Sequence, residues 1–502
     1  MFKHQNWSIN PAAILFAILL AAVIACNSAV QVPATPSFSN NTESVPLPDT
    51  PTPPPKSFVP GDPTATPLGT DITDPNFIKG VAAFNDENYE ETITLMSAVI
   101  GSNRDVAPPY RYRGLSYWYL EDCKSALRDF EQAVAINPEY AAAWAGRGLA
   151  NSCFENWDQA LKDYDKALSI DPSLAFVHHN LGSHYFYEGD YEKALEEHSR
   201  SVAIDPTRSG TWTARAEALT KLGQYGECII STTRALEVNP EEWFAYTNRA
   251  FCNAMLENHS AAIEDYEIFL AHDDMNVQTW YNLGYSQYHS GMNEEAVTSY
   301  SKTLELDPSY YQAYINRGLA YVDLEKYEEA LADFNHALEF GDIPFAYSGR
   351  GDAYYGLKEY DMAIAEYEKA IFMMQGGSSS AHSYCMVALN YYETGRYEDA
   401  LNAAKTGYDL NPACGGQRVL EIQARSYYAL GDYEQAILYM NKTIQIGEYT
   451  LGYYYRGIMY HDAGKYEEAL ADLNTFLSLT PDKTTFIKEI ADAQARVAEL
   501  TP

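Results

Sequence analysis

The chain has 502 residues, of which 69 are acidic and 34 basic, for a formal net charge of −35. Gripping a phosphate backbone needs a positive surface, so this charge argues against nucleic acid as a partner. The length is too great for one compact core and natural for an array of small repeated units.

Residues 1–25 read as a targeting segment and not as part of the fold. Lys3 and His4 give a short basic start, and the apolar run Ala12–Ala25 is too short to cross a bilayer as a stable helix. It ends Val23-Ile24-Ala25-Cys26, which resembles the bacterial lipobox. That resemblance implies cleavage before Cys26, lipid on its thiol and new amino terminus, and a place at the outer face of a bacterial membrane. From 26 to 72 the composition turns to Pro, Thr, Ser and Asn, as in Pro46–Pro55 (PLPDTPTPPP). So few apolar residues cannot offset the entropy of ordering the segment, which reads as a disordered spacer.

The stretch Thr279–Tyr310 then supplies the unit of the rest. Trp280, Leu283 and Gly284 open one apolar stripe at helical spacing, Gly291 breaks the helix, and Ala296, Tyr300 and Leu304 open a second stripe closed by Asp307-Pro308. The small residue of the second stripe recurs from Thr92 through Ala126, Ala160, Ala194, Cys228, Ala262 and Ala296 to Ala330, each 34 after the last. It drifts by a few residues at Ala363, Ala400, Ala436 and Ala469, around Met373–Ser380 and Gly415-Gly416. A partner small site in the first stripe runs from Gly80 to Gly457, and Pro ends many second stripes, as at Pro138, Pro172, Pro206 and Pro308.

This pattern resembles the tetratricopeptide repeat. The resemblance implies an all-α fold, a right-handed superhelix of about twelve helix-turn-helix repeats over residues 73–483. Residues 484–502 put Phe486, Ile490, Ala493, Val497 and Leu500 on one face, as a capping helix would. Proteins of this kind bind protein or peptide partners, and the expected function is a non-catalytic, lipid-anchored scaffold. The alternative is an assembly component of an envelope complex that works through the other face or the ends.

One substitution recurs in pairs. Arg113, Arg147, Arg249, Arg317, Arg350 and Arg456 stand where Leu is usual, and the residue sixteen further on is Asp129, Asp163, Asp265, Asp333, Glu366 or Asp472. The pairing predicts an Arg–carboxylate bridge between the two helices of a repeat. Repeat 7 has neither member, and Arg215 with Ser231 and Leu181 with Glu197 break the rule.

No phosphate loop, HExxH, GxSxG or CxxC pairing occurs, so no enzyme activity, cofactor or metal is expected. His178, His179 and His184 cluster in one helix, but adjacent histidines point apart and read as structural. Six cysteines besides Cys26 suggest the pairs Cys123–Cys153, Cys228–Cys252 and Cys385–Cys414, with cysteine as a small packing residue the alternative.

The sixth repeat position reads Asn180, Asn248, Asn282 and Asn316. An amide can pair with a peptide group of any sequence, and the set resembles the asparagine ladder of the O-linked N-acetylglucosamine transferase superhelix. That resemblance implies an inner groove for an extended chain, with Phe186, Tyr187, Phe251, Tyr281, Tyr285 and Tyr288 around it. Uncharged inward positions such as Tyr281, Tyr285, Ile315 and Leu319 make an acidic peptide tail an unfavourable ligand.

Overall fold

The computed structural model describes residues 73–414, 416–447, 449–480 and 486–501. The targeting segment, Cys26 and the proline-rich spacer lie outside the described residues. Those residues fall into two compact units that part between Ala313 and Tyr314. Twelve helical hairpins and one terminal helix make up the array, and no strand occurs among the described residues.

In the first unit the hairpins run from Pro75–Asn85 with Tyr89–Ser102 to Val277–His289 with Asn293–Leu306. In the second they run from Tyr311–Asp323 with Tyr327–Glu339 to Thr450–Asp462 with Tyr466–Leu479, and Ile487–Leu500 follows. That last helix buries Ile490 and Ala493 against Leu473 and Phe476. Phe486 stands before it in a left-handed conformation, φ 58°, and is not one of its turns as the spacing suggested.

Local chemistry explains where each helix starts and stops. Asp122, Asp190 and Asp432 cap second helices by accepting from the backbone N–H of Ser125, Lys193 and Gln435. After a second helix, Asn137, Asp171, Asp205 or Asp307 accepts from the N–H two residues on, at 2.9–3.0 Å, while the intervening proline bars a further helical turn. The indoles of Trp144, Trp212 and Trp280 then donate back to the carbonyls of Pro138, Pro206 and Asp274. Every turn between the two helices of a hairpin holds one residue of positive φ. Six are glycine, and the other six are Glu87, Glu121, Glu155, Glu257, Glu325 and Lys358.

In many hairpins the two helices cross where a glycine meets an aromatic ring, while in the first and last it meets Met96 and Leu473. A Cβ on Gly148 would stand 2.8 Å from Tyr164, and one on Gly284 would stand 2.9 Å from Tyr300. Tyr164, Tyr266, Tyr300, Tyr367, Phe130 and Phe334 are fully buried at this crossing. Interiors pack at crystal density, so this site fixes residue size repeat after repeat.

All six Arg–carboxylate bridges form, each through two guanidinium nitrogens at 2.6–3.0 Å. Each arginine also lies over the aromatic ring three residues before it, as Arg147 does over Trp144 at 4.5 Å. In several repeats a third nitrogen reaches the second helix of the preceding repeat, as Arg113 reaches Ser97 at 2.9 Å and Arg456 reaches Asn441 at 2.7 Å. The exceptions find other partners. Ser299 donates to Gln287, Arg215 bonds Ser231 and Ser199, and Glu197 accepts from Arg200 and meets His178.

Candidate functional site

The sixth-position asparagines are 0–3 % exposed. That position points at the neighbouring helices and not into open solvent. Asn180 faces the Tyr164 hydroxyl of the preceding repeat, and Asn282 faces Tyr266 and accepts from Gln278 at 2.8 Å. Asn248 faces the Glu217 carboxyl, and Asn316 is fully buried in the second unit. Four amides this deeply buried are not open to an incoming chain in this structure, and the expected asparagine ladder does not line a free groove here. Phe251, Tyr281 and Tyr288 are buried beside them, Phe186 and Tyr285 are half-buried, and Tyr187 is exposed.

A different set of side chains lies open on the first-helix face, all within the second unit. First helices of successive repeats touch along this face. The first helix of repeat 11, Gly416–Ala429, carries Arg418 and Arg425 seven residues apart, two turns along one side. Arg418 donates to the Tyr355 hydroxyl of repeat 9 and lies 5.6 Å from the ring centre. Arg425 sits between Tyr392 of repeat 10 and Tyr455 of repeat 12, 4.7 Å from each ring, and pairs with Glu421 at 3.1 Å. Tyr428 donates to Asp462, which also meets Arg496 of the terminal helix at 3.3 Å. Tyr355, Tyr392, Arg418, Arg425, Tyr428 and Tyr455 are all half-buried, so each keeps one side in contact and one side open.

Rigid tyrosines offer large contact area at little entropic loss, and guanidinium planes add directed donors. Tyr281 and Ile315, expected on the inward face, are fully buried, and the open face at repeat 11 carries the charges of Arg418 and Arg425. The Arg-x6-Arg spacing in Gly416–Ala429 was the available signal. Arg208 and Arg215 show the same spacing at repeat 5, so the spacing alone does not mark the face.

On the second-helix side of the same unit a groove of about 420 Å³ opens between Tyr360–Met373 and Tyr397–Leu410. Val387 and Ala403 form its floor, and Phe372 at its edge is 83 % exposed. It follows the longer connection at Met373–Ser380, which holds the short 3-10 turn Ser378–Ser380.

The remaining candidates are placed as follows. His178 bonds Glu197 at 2.6 Å, His179 faces His198, and His184 stacks on Trp157 at 4.5 Å, so the three histidines serve three different neighbours. Cys123 and Cys153, Cys228 and Cys252, and Cys385 and Cys414 are disulfide-bonded, with Cα–Cα separations of 6.3, 6.4 and 6.2 Å. The first two join successive repeats.

Comparison with known proteins agrees with the repeat geometry. The profile described as tetratricopeptide repeat matches residues 113–175, 315–380, 385–450 and 423–484, and one described as TPR repeat matches 287–325. A UDP-N-acetylglucosamine–peptide N-acetylglucosaminyltransferase of Giardia intestinalis is 34 % identical over 62 residues, 12 % of this chain. The chain spans only 4 % of that enzyme's length. Among solved structures, the anaphase-promoting-complex hetero-tetramer Cut9–Hcn1 aligns with 85 % of this chain and 95 % of its own, at 13 % identity and a TM-score of 0.43. Yeast Tom70 aligns with 84 % of this chain and 95 % of its own, at 15 % identity and a TM-score of 0.35. YrrB, described as a TPR protein with an unusual peptide-binding site, aligns with 37 % of this chain and 95 % of its own, at 22 % identity and 0.35.

Proposed function

We propose, on the premise that this chain is an array of tetratricopeptide repeats, that it is a non-catalytic scaffold that binds an extended segment of a partner protein. A lipid on Cys26 tethers it at the outer face of a bacterial membrane. The observation that carries the binding reading is the tyrosine–arginine face of repeats 9–12. There Tyr355, Tyr392, Arg418, Arg425 and Tyr455 stand half open on contiguous first helices. Elsewhere the equivalent positions are mostly closed by packing, as at Leu319 and Val322 in repeat 8. The tether rests on the Val23–Cys26 motif and the spacer after it.

The test is recovery of partners from host membranes by the full-length chain and by a Tyr355→Ala/Arg418→Ala variant of unchanged melting temperature. Loss of one partner by the variant supports the reading, and equal recovery overturns it. For the tether, incorporation of a labelled fatty acid should vanish in Cys26→Ser; retained label removes the anchor. The assembly reading draws on one observation, the Phe372 groove on the other face. A multi-subunit complex lost with Phe372→Ser and kept by the first variant would decide for it.

A further inference from the structure

Repeat 4 places an imidazole where its helices cross, and the next repeat places Thr232 there. The aromatic knob of this position is Phe130 in repeat 2, Tyr164 in repeat 3, Tyr266 in repeat 6 and Tyr300 in repeat 7, but in repeat 4 it is His198. The imidazole is 1 % exposed and presses on the first helix so closely that a Cβ on Gly182 would stand 2.7 Å from the ring. Its Nδ1 is buried with no hydrogen-bond partner among the described residues. Facing it is a second buried imidazole, His179, with ring centres 5.2 Å apart.

The charged groups nearest His198 are engaged elsewhere or are positive. Glu197, next in sequence, already serves His178 at 2.6 Å and Arg200 at 2.8 Å. The first helix of repeat 5 brings Arg215, which adds positive charge and bonds Ser199. Leu181 occupies the site where other repeats carry the bridging arginine. His184, at the end of the first helix, stacks on Trp157 of repeat 3. A proton added to the facing imidazoles would therefore sit at a helix crossing of crystal-like density, beside a like-charged or titratable ring.

We propose that repeat 4 is an acid-sensitive joint in the array, at which a proton on the His179–His198 pair parts Ala175–Tyr187 from Tyr191–Ile204. Burial, and then the neighbouring His179, hold the His198 pKa well below the ordinary value of 6.5. The sign follows. The unfolded histidine takes up a proton near its ordinary pKa while the folded one resists, so stability is present above that value and is lost as pH falls below it. At pH 5.0 the closed form would be disfavoured by up to about thirtyfold, the factor for a group with an unfolded pKa of about 6.5.

Hydrogen exchange on the full-length chain at pH 7.5 and 5.0, corrected for intrinsic rates, tests this. Protection in residues 175–204 should fall by roughly tenfold or more beyond any change in repeats 6 and 7, where Tyr266 and Tyr300 fill the crossing. His198→Tyr, which installs the residue of repeats 3, 6 and 7, should abolish that local loss. A uniform change along the array, or the same loss in His198→Tyr, overturns the proposal. Should that variant fail to fold, histidine-labelled NMR of the native chain gives the answer. His198 should stay neutral at pH 5.5 while the repeat is closed, and titration near pH 6.5 without change in the repeat overturns the joint.

Discussion

Arg249 grips Asp265 through Nε and Nη2, at 2.8 and 2.7 Å, across the two helices of repeat 6. The Asp265 side chain is 6 % exposed and that of Arg249 is 23 % exposed. Removing one member strands a nearly buried charge, which costs about 3 kcal/mol or more, whereas replacing both members by a fitting neutral pair is often close to neutral. Repeat 7 supplies such a pair in Leu283 and Ser299. In denaturant unfolding, Arg249→Leu should therefore destabilise strongly, and Arg249→Leu with Asp265→Ser should recover most of the loss. The exposed pair Arg234–Glu237 should cost under about 1 kcal/mol when cut.

The six non-glycine turn residues of positive φ hold a conformation that costs an L-residue about 1–2 kcal/mol. Glycine removes that cost and brings back some chain entropy. Glu257→Gly and Glu325→Gly should each raise stability by about 0.5 kcal/mol, and Gly291→Ala should lower it by about 1 kcal/mol. Melting temperatures that fall in both Glu→Gly variants would refute this account of the turns.

Asn248, Asn282 and Asn316 are expected to act on stability. Changing all three to Ala takes the Asn282 acceptor from Gln278, at about 1 kcal/mol for the lost bond, and empties part of three buried sites. The triple variant should melt earlier, and its partner binding at a temperature where it is folded should match the native chain. Lost binding by the folded triple variant would restore the asparagine ladder.

Burial, with Glu242 adding to it, pushes the Glu217 carboxyl up to about 7. A folded pKa above the unfolded value means that Glu217 favours the fold at low pH, and this is lost as pH rises through about 7. Glu217→Gln should be more stable than the native chain at pH 8 and no more stable at pH 4. Repeat 4 responds in the opposite direction, so the two sites separate in one pH series of the paired variants.

Six cysteines should resist alkylation until a reductant is added. Closing loops of 30, 24 and 29 residues removes disorder from the unfolded chain worth about 3 kcal/mol each. Mass shifts with iodoacetamide, before and after reduction, check the pairing. Six alkylated thiols in the unreduced chain unfolded in denaturant would leave cysteine as a packing residue.

What the sequence reveals here is what repeats. Gly148 and Gly284 sit 2.8–2.9 Å from where a side chain would strike a ring, so packing forces a small residue into the same register and the period shows itself. The arginine–carboxylate pairs are legible for the same reason, since two positions sixteen apart change together. Features used once leave no such trace. Arg418 and Arg425 occur in a single repeat, and His198 reads as one more residue at a variable site. The burial of Asn180 and Asn282 depends on Tyr164 and Tyr266, which the chain brings in from the preceding repeat. The division between Ala313 and Tyr314 falls inside the helix Tyr311–Asp323, where the 34-residue step runs on unbroken.

The third nitrogen of the bridging arginines reaches backward along the chain, from Arg113 to Ser97, Arg350 to Asn335 and Arg456 to Asn441. Each such repeat thus carries its own clasp toward its predecessor and offers its successor only a small polar acceptor. The chain has a grammar of order. Where the clasp forms, the earlier repeat holds Ser, Thr or Asn at the matching place, whereas the place opposite Arg147 is Glu131. Duplicating repeat 2 in tandem would set the second copy's clasp against Glu131 in the first. Repeats shuffled with that one acceptor kept should join more readily than repeats shuffled by overall likeness.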